Sequence, residues 1–259
     1  MQQDSIQQLP SISCKCITYG RVSFLEEALH SFLKQEYPGP KELIIVNDYP
    51  LQTLVFDHPE VKIYNLDKTF DTIGEKENFA LSKCSGELIA VWDDDDIALP
   101  NHLDNIYKYF SPGANLLHWN KGVYFNEGNV TSLTAMGNSG IVYTKKVWES
   151  IGGHPLENAG YDATFTHRIH ALGSTIFASP SDEDVSWFYM WGGRGYHMSG
   201  QGTDIPGNSQ NVIKRHSNHI EKLRMNGKIP TGTVQLKPNW KLDYSSKLKE
   251  FIDRKSSTR

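Results

Sequence analysis

The sequence predicts an α/β fold: an open, mostly parallel β-sheet with helices on both faces. Three observations predict it. Strand-like and helix-like segments alternate through the first half of the chain. The strand-like segments are near-continuous apolar runs, the pattern of strands covered on both faces. They end in polar or acidic residues, and in such sheets ligands bind beyond the carboxyl ends of the strands.

The elements follow in order. Ser11–Tyr19 is rich in strand formers. Over Val22–Glu36, Phe24, Leu25, Ala28, Leu29, Phe32 and Leu33 fall on one helical face, and Pro38-Gly39-Pro40 ends the helix. Glu42–Asp48 (ELIIVND) reads as a buried parallel strand, and Val61–Leu66 as a third. A short helix over Glu75–Cys84 precedes a fourth strand, Glu87–Trp92, which runs straight into Asp93-Asp94-Asp95-Asp96. Pro100, at a favoured early position, starts a helix to about Tyr109. In the second half, Asn115–Asn126 and Val130–Thr134 read as a hairpin, and Ser139–Tyr143 as a strand. Helices are expected over Lys145–Ile151, closed by Gly152-Gly153, and over Tyr161–Leu172, closed by Gly173. Trp187–Gly207 reads as a loop rich in glycine and aromatics, and Asn208–Met225 as a helix. No repeat or low-complexity linker interrupts the chain, so one domain is expected over 1–225 with a partly helical extension over 226–259.

Composition excludes several classes. The 259 residues carry 26 Lys+Arg against 30 Asp+Glu, a net charge of -4, which disfavours a basic nucleic-acid binder. No apolar run reaches the roughly 18–20 residues of a membrane span. Met1–Pro10 is polar, so no secretory signal is expected. Three cysteines (Cys14, Cys16, Cys84) are an odd number, and Cys14-x-Cys16 lacks the spacing of a zinc or redox site. They read as buried thiols in a reducing, cytoplasmic setting. Charge is uneven: residues 226–259 hold 8 basic and 3 acidic residues, the rest 18 basic and 27 acidic.

Asp93–Asp96 is the strongest chemical signal. Adjacent carboxylates repel each other, and a divalent cation such as Mg²⁺ or Mn²⁺ removes the repulsion. A cluster at a strand end, before a Pro-started helix, points to a metal-bound nucleotide diphosphate rather than a solvated acidic turn. Asp48, at another strand end, can accept a hydrogen bond from a base or ribose, or shape a turn. Lys76 and Asn78 lie on a short helix as phosphate contacts or as a solvated face. Asp162, early in its helix, complements the helix dipole or acts as a general base, with Glu157 and Arg168 adding polar density. His197 lies in the segment 192–202 (GGRGYHMSGQG), whose glycines suit a lid. Trp187, Trp191 and Tyr196 flank it and would stack on a sugar or simply pack the loop.

Together these segments resemble family 2 glycosyltransferases with the GT-A fold, a Rossmann-like α/β/α sandwich around a mostly parallel central sheet. ISCKCITYGRVSFLEEALHSFLKQEY followed by ELIIVND resembles that family's opening strand, helix and nucleotide-binding strand. ENFALSKCSGELIAVWDDDDIALPNHL resembles its D-x-D block. SGIVYTKKVWESIGGHPLENAGYDATFTHRIHALG resembles its third block, a strand, a Gly-Gly turn and an acidic residue on a helix. The resemblance implies that Thr18, Tyr19 and Asp48 line the base pocket. Asp93 and Asp95 match the D-x-D, with Asp94 beside the donor nucleotide, Asp95 on the metal and Asp96 behind it. Asp162 matches the catalytic base and His197 a late metal ligand, with Trp187, Trp191, Tyr196 and Glu157 on the acceptor or lid side.

The chain departs from the family's pattern in places. The usual Asp-Asp after the second strand is Asn47-Asp48, and the usual acidic pair at the base is Tyr161-Asp162. The Q-x-x-R-W motif of processive synthases is absent. The resemblance therefore implies inverting, single-addition transfer, with Mn²⁺ or Mg²⁺, from a nucleotide-diphosphate sugar (UDP favoured) to a glycan, lipid-linked or other acceptor. A non-catalytic glycan- or partner-binding module is the alternative. A sugar-phosphate nucleotidyltransferase fits less well, because Thr18-Tyr19-Gly20-Arg21 is not a glycine-rich phosphate loop. In the basic tail, Tyr244, Leu248, Phe251 and Ile252 share one helical face. That face is expected to dock on the domain or on a second subunit of a homo-oligomer, or to lie on an anionic membrane.

Overall fold

The computed structural model describes residues 9–191 and 209–257, the side chains of Trp191 and of residues 209–216 excepted. The strands and helices run in the order β1 (Ile12–Thr18), α1 (Val22–Leu33), β2 (Lys41–Asn47), β3 (Gln52–Val55), β4 (Val61–Asn65), α2 (Ile73–Lys83), β5 (Leu88–Val91) and β6 (Ile97–Ala98). Then come α3 (His102–Tyr109), β7 (Leu116–Trp119), β8 (Gly122–Asn126), β9 (Asn129–Thr134), β10 (Val142–Thr144), α4 (Lys145–Ser150) and α5 (Tyr161–Ala171). The chain continues through β11 (Thr175–Ala178), β12 (Trp187–Trp191), α6 (Ser209–Met225), β13 (Gly232–Gln235) and α7 (Tyr244–Ser257).

Seven strands form the central sheet in the order β11-β7-β10-β5-β1-β2-β4. All neighbours pair in parallel except β10, which is antiparallel to both β5 and β7. The apolar runs are explained by a core on each face. Leu43 and Ile45 of β2 join Leu25, Ala28, Leu29 and Phe32 of α1 on one side. Ile44 and Val46 join Ala80 and Leu81 of α2 and Phe165 of α5 on the other. Each large side chain buried this way stabilises the fold by about 1.5–3 kcal/mol. Cys14, Cys16 and Cys84 are free, buried thiols. Burial pushes the Cys84 thiol up to about 12.

The second half departs from the expected pattern. The segment expected to be one hairpin arm divides at Asn120-Lys121: β7 enters the central sheet and β8 leaves for a second sheet, β6-β12-β8-β9. The real hairpin is β8–β9, turned through Glu127 (φ 48°) and Gly128 (φ 82°). Positive φ at both turn residues matches the right-handed twist of the flanking strands. Trp187–Trp191, expected as part of a loop, is strand β12, parallel to β8 and antiparallel to β6. Its aromatic run favours a strand, and the glycines that suggested a loop begin only at Gly192.

The basic extension lies against the body. β13 pairs in parallel with β3. Tyr244 and Leu248 of α7 are buried with Phe125 and Phe188, and Phe251 and Ile252 pack on the same cluster. Of the outcomes expected for this face, docking on the domain is the one seen: it is turned inward and packed on protein, which corrects the alternative of an apolar face laid on a membrane. Among the described residues no helix is long and apolar enough to cross a membrane.

Candidate active site

The parallel register sets the ends of β1, β2 and β5 side by side. Thr18 stands opposite Asn47, and Lys15 opposite Val91, just before the acidic turn. A cleft of about 160 Å³ opens over these ends. Ile17, Tyr19, Phe70 and Ile73 give it apolar walls, and Thr18, Asp48, Lys76, Asp93 and Asp94 give it polar ones. Tyr19 meets Tyr49 edge to face at 5.0 Å.

Asp48 is held on all sides. One carboxylate oxygen accepts the Phe70 N–H at 3.1 Å, and the other is paired with Lys76. Lys76 Nζ also donates to the Thr18 carbonyl at 2.6 Å. Lys76 thus ties the ends of β1 and β2 together on one wall of the cleft, its charge already matched by Asp48. Asn78 has a different place from the one expected. Its amide donates to the His154 carbonyl at 2.9 Å and accepts from the His154 N–H at 2.8 Å and Trp148 Nε1 at 3.1 Å. Those bonds anchor the loop before α5, and Asn78 lines neither cavity described here.

The four aspartates turn in different directions. Asp94 is buried and paired with Arg21, whose Nε donates to it at 3.0 Å. Arg21 Nη1 donates to Asp95 at 2.7 Å, and the Asp95 side chain remains 22% exposed. Asp96 is buried and accepts from Ser139 Oγ at 2.6 Å and from the Met190 N–H at 2.9 Å. Asp93 faces both cavities. Burial pushes Asp93, Asp94 and Asp96 above the usual carboxylate range, and the neighbouring carboxylates push further. Lys15 opposes this at Asp93 and Arg21 at Asp94. Arg21 stands at the N-cap of α1, where a donor-only guanidinium cannot accept from the first N–H groups, and its side chain turns to the aspartates instead.

A second cavity, of about 480 Å³, lies on the other side of the acidic turn. Asp93, Asp95 and Asp162 all line it, and it meets the first cleft at Arg21, Asp93 and Tyr161. Asp162 sits in the first turn of α5, behind Gly160 at φ 71°. Asn138 Nδ2 donates to its Oδ2 at 3.3 Å. The loop ahead of α5 presses on α2: a Cβ on Gly74 would lie 1.8 Å from the Pro155 carbonyl oxygen, so only glycine fits.

Other expected residues are not brought into the site. Trp187 is 2% exposed and donates through Nε1 to Ser139 Oγ at 2.9 Å, so it supports the Asp96 side of the turn from the core. Glu157 is exposed and lines neither cavity. Tyr196 and His197 lie outside the described residues, and Trp191 is described only as the last residue of β12. Sequence reasoning missed Arg21, Lys15 and Glu77. The available signal for Arg21 was a cation directly after the first strand, facing a four-carboxylate run at a parallel strand end.

Among the described residues no group of three His, Cys, Asp or Glu side chains is gathered as a metal cage. Asp93 and the partly exposed Asp95 nevertheless offer hard oxygen donors to one cavity. That donor set fits Mg²⁺ or Mn²⁺, which are held by one or two carboxylates together with substrate phosphate.

A cleft over parallel strand ends, joined through an acidic turn to a second cavity, defines a nucleotide-binding α/β protein of the GT-A class. The chain belongs to glycosyl transferase family 2, whose family model matches residues 15–176. It is 33% identical over 102 residues to the uncharacterized glycosyltransferase YwdF of Bacillus subtilis. That match spans 38% of this chain and 37% of the relative's length. Among solved structures it is similar to residues 1–349 of S. aureus TarS in complex with UDP-GlcNAc. The TM-score is 0.60 at 18% identity, over 95% of this chain and 73% of that one. It is also similar to the mannosyltransferase PcManGT of Pyrobaculum calidifontis in complex with GDP-Man and Mn²⁺. There the TM-score is 0.55 at 17% identity, over 86% of this chain and 67% of that one. At these identities the two likenesses show the fold.

Proposed function

We propose that this protein moves one sugar, with inversion, from a nucleoside-diphosphate sugar to a hydroxyl of a glycan, lipid-linked or other acceptor. One observation carries the reading: the cleft over the strand ends and the Asp162 cavity join at Arg21, Asp93 and Tyr161. A diphosphate at that junction would set the base against Asp48 and the sugar beside Asp162. UDP is the favoured donor nucleotide, and solved relatives of the same fold carry UDP-GlcNAc or GDP-Man. The free, buried thiols support a cytoplasmic site of action.

The chain's own groups divide the work. Asp48 and Tyr19 bind the base, and Arg21, paired with Asp94 and Asp95, holds the acidic turn in place beside the diphosphate. Asp162, steadied by Asn138, takes the proton of the acceptor hydroxyl as its oxygen bonds to the anomeric carbon. The bond from that carbon to the diphosphate oxygen breaks on the opposite face. Mn²⁺ or Mg²⁺ bound near Asp93 and Asp95 would neutralise charge on the departing diphosphate.

Calorimetric titration with UDP, GDP and dTDP, with and without Mn²⁺, tests the donor site. One nucleotide is expected to bind in a metal-dependent manner, and Asp95→Ala to abolish that binding. If none binds in the presence of metal, the donor-site reading is wrong. Asp162→Asn is expected to keep nucleotide affinity while transfer falls by about 10²–10⁴, the range for losing a general base. Near-full turnover would remove Asp162 from the chemistry.

A further inference from the structure

Helix α2 carries side chains that face both cavities. Lys76 is paired with Asp48 at the cleft over the strand ends, and Glu77 with Lys15, at 2.5 Å, on the wall of the second cavity. The first turn of α2 is completed by a distant part of the chain. The opening N–H groups of a helix have no partner within it. Thr72, the N-cap of α2, accepts the Glu75 N–H through its side chain at 3.1 Å. The Ile73 and Gly74 N–H groups remain. Asn158 Oδ1 accepts the first at 2.9 Å, across 85 positions of sequence, and the Glu157 carbonyl accepts the second at 3.1 Å. Asn158 Nδ2 turns to the Asp71 carbonyl at 3.4 Å.

The two segments joined in this way belong to different halves of the site. Thr69, Phe70, Thr72 and Ile73 line the cleft, and the Phe70 N–H bonds to Asp48. Asn158, Ala159 and Gly160 line the second cavity, and Asp162 follows in the first turn of α5. Little holds the Asp162 carboxylate directly. Among the described residues its one hydrogen bond comes from Asn138, at 3.3 Å. Its place is therefore set by the backbone that leads into α5. That backbone passes through Gly160 at φ 71°, a conformation glycine permits but does not enforce. The bonds to α2 supply the constraint, and Asn158 makes the last of them before Asp162.

We infer that Asn158 is a positioning residue for the reaction. By capping α2 it fixes the loop ahead of α5 against the wall of the nucleotide cleft, and so sets where Asp162 meets the incoming hydroxyl. The inference rests on the reading of Asp162 as the general base. Displacing a catalytic group by about 1 Å can cost about 10²-fold in rate, so the loss of one capping bond reaches the chemistry.

Asn158→Ala removes the cap, and Asn158→Asp keeps an oxygen for the Ile73 N–H. Amide hydrogen exchange is measured on wild type and both variants. In Asn158→Ala, residues 71–76 and 155–163 are expected to exchange faster together, by about tenfold or more, while β1 and β2 keep their rates. Unchanged exchange over 155–163 overturns the inference, whatever the activity. Turnover is read as UDP or GDP released from UDP-glucose, UDP-N-acetylglucosamine or GDP-mannose, with Mn²⁺ present and water as the acceptor. Asn158→Ala is expected to lower kcat by about tenfold or more, while affinity for the bare nucleotide stays within about twofold of wild type. Asn158→Asp is expected to restore most of the rate. On an Asp162→Asn background, Asn158→Ala should cost nothing further, because it acts through Asp162. A full additional loss on that background overturns the inference, since Asn158 would then act on the substrate or on the fold at large. If wild type binds no nucleotide, the donor-site reading fails and this inference with it, whereas failure of either Asn158 test leaves the donor site standing.

Discussion

Glu42 shows how a single carboxylate stitches three parts of the chain together. It accepts from Ser13 Oγ at 2.7 Å on β1, from the Ser85 N–H at 2.6 Å, and from Lys62 Nζ at 2.7 Å on β4. Although burial opposes it, these bonds hold the Glu42 carboxyl down at about 2, below its ordinary 4.5. The unfolded chain therefore binds a proton at higher pH than the folded one. The stability Glu42 supplies is complete above about 4.5 and is lost as pH falls towards 2. Denaturant titrations of wild type and Glu42→Gln should differ most near neutral pH and converge towards pH 2. A difference that stayed constant with pH would show that the charge of Glu42 plays no part. At this scale the sequence was partly legible. Asp48, Asp93, Asp95 and Asp162 were visible because each ends a strand or begins a helix. Lys15, Glu77 and Asn158 were not, because each takes its meaning from a neighbour far along the chain.

Helix α7 shows what an amphipathic pattern can and cannot say. Its apolar stripe was readable, but the surface that receives it was not. That surface is assembled from Phe125 of β8 and Phe188 of β12, whose rings lie 5.6 and 5.7 Å from that of Tyr244. Tyr244 also donates to Glu27 of α1 at 2.6 Å. Tyr244→Ala should destabilise the protein by about 3–5 kcal/mol, the usual cost of deleting a buried aromatic ring. Chemical denaturation measures this, and a change under 1 kcal/mol would mean that α7 is not part of the folded core. Strand β12 carries the same lesson from the other side: WFYMW is strand-prone, yet the glycines that follow it masked its pairing with β6 and β8.

For the whole molecule, the first half was the legible half, for a physical reason. Parallel strands covered on both faces must be apolar throughout, and β2 divides its side chains between the two cores. That demand leaves a strong local signature. Short strands such as β3, β11 and β13 pair across long sequence separations and bury less, so their residues carry little imprint of their partners. The acidic turn was readable because it follows a strand of the first kind. The second cavity was not, because β1, β10, α2 and α5 must all be in place before it has walls.

The pairing of β13 with β3 bears on the order in which the protein is made. Synthesis proceeds from the N-terminus, so β3 leaves the ribosome long before the segment that joins it in a sheet. The Phe125 and Phe188 surface likewise waits for α7. An unfinished chain therefore exposes a half-paired strand and an apolar patch until β13 and α7 emerge. A product lacking β13 and α7 would keep most of the cleft over the strand ends but leave β3 half-paired and the Phe125 and Phe188 patch bare, and so tend to aggregate.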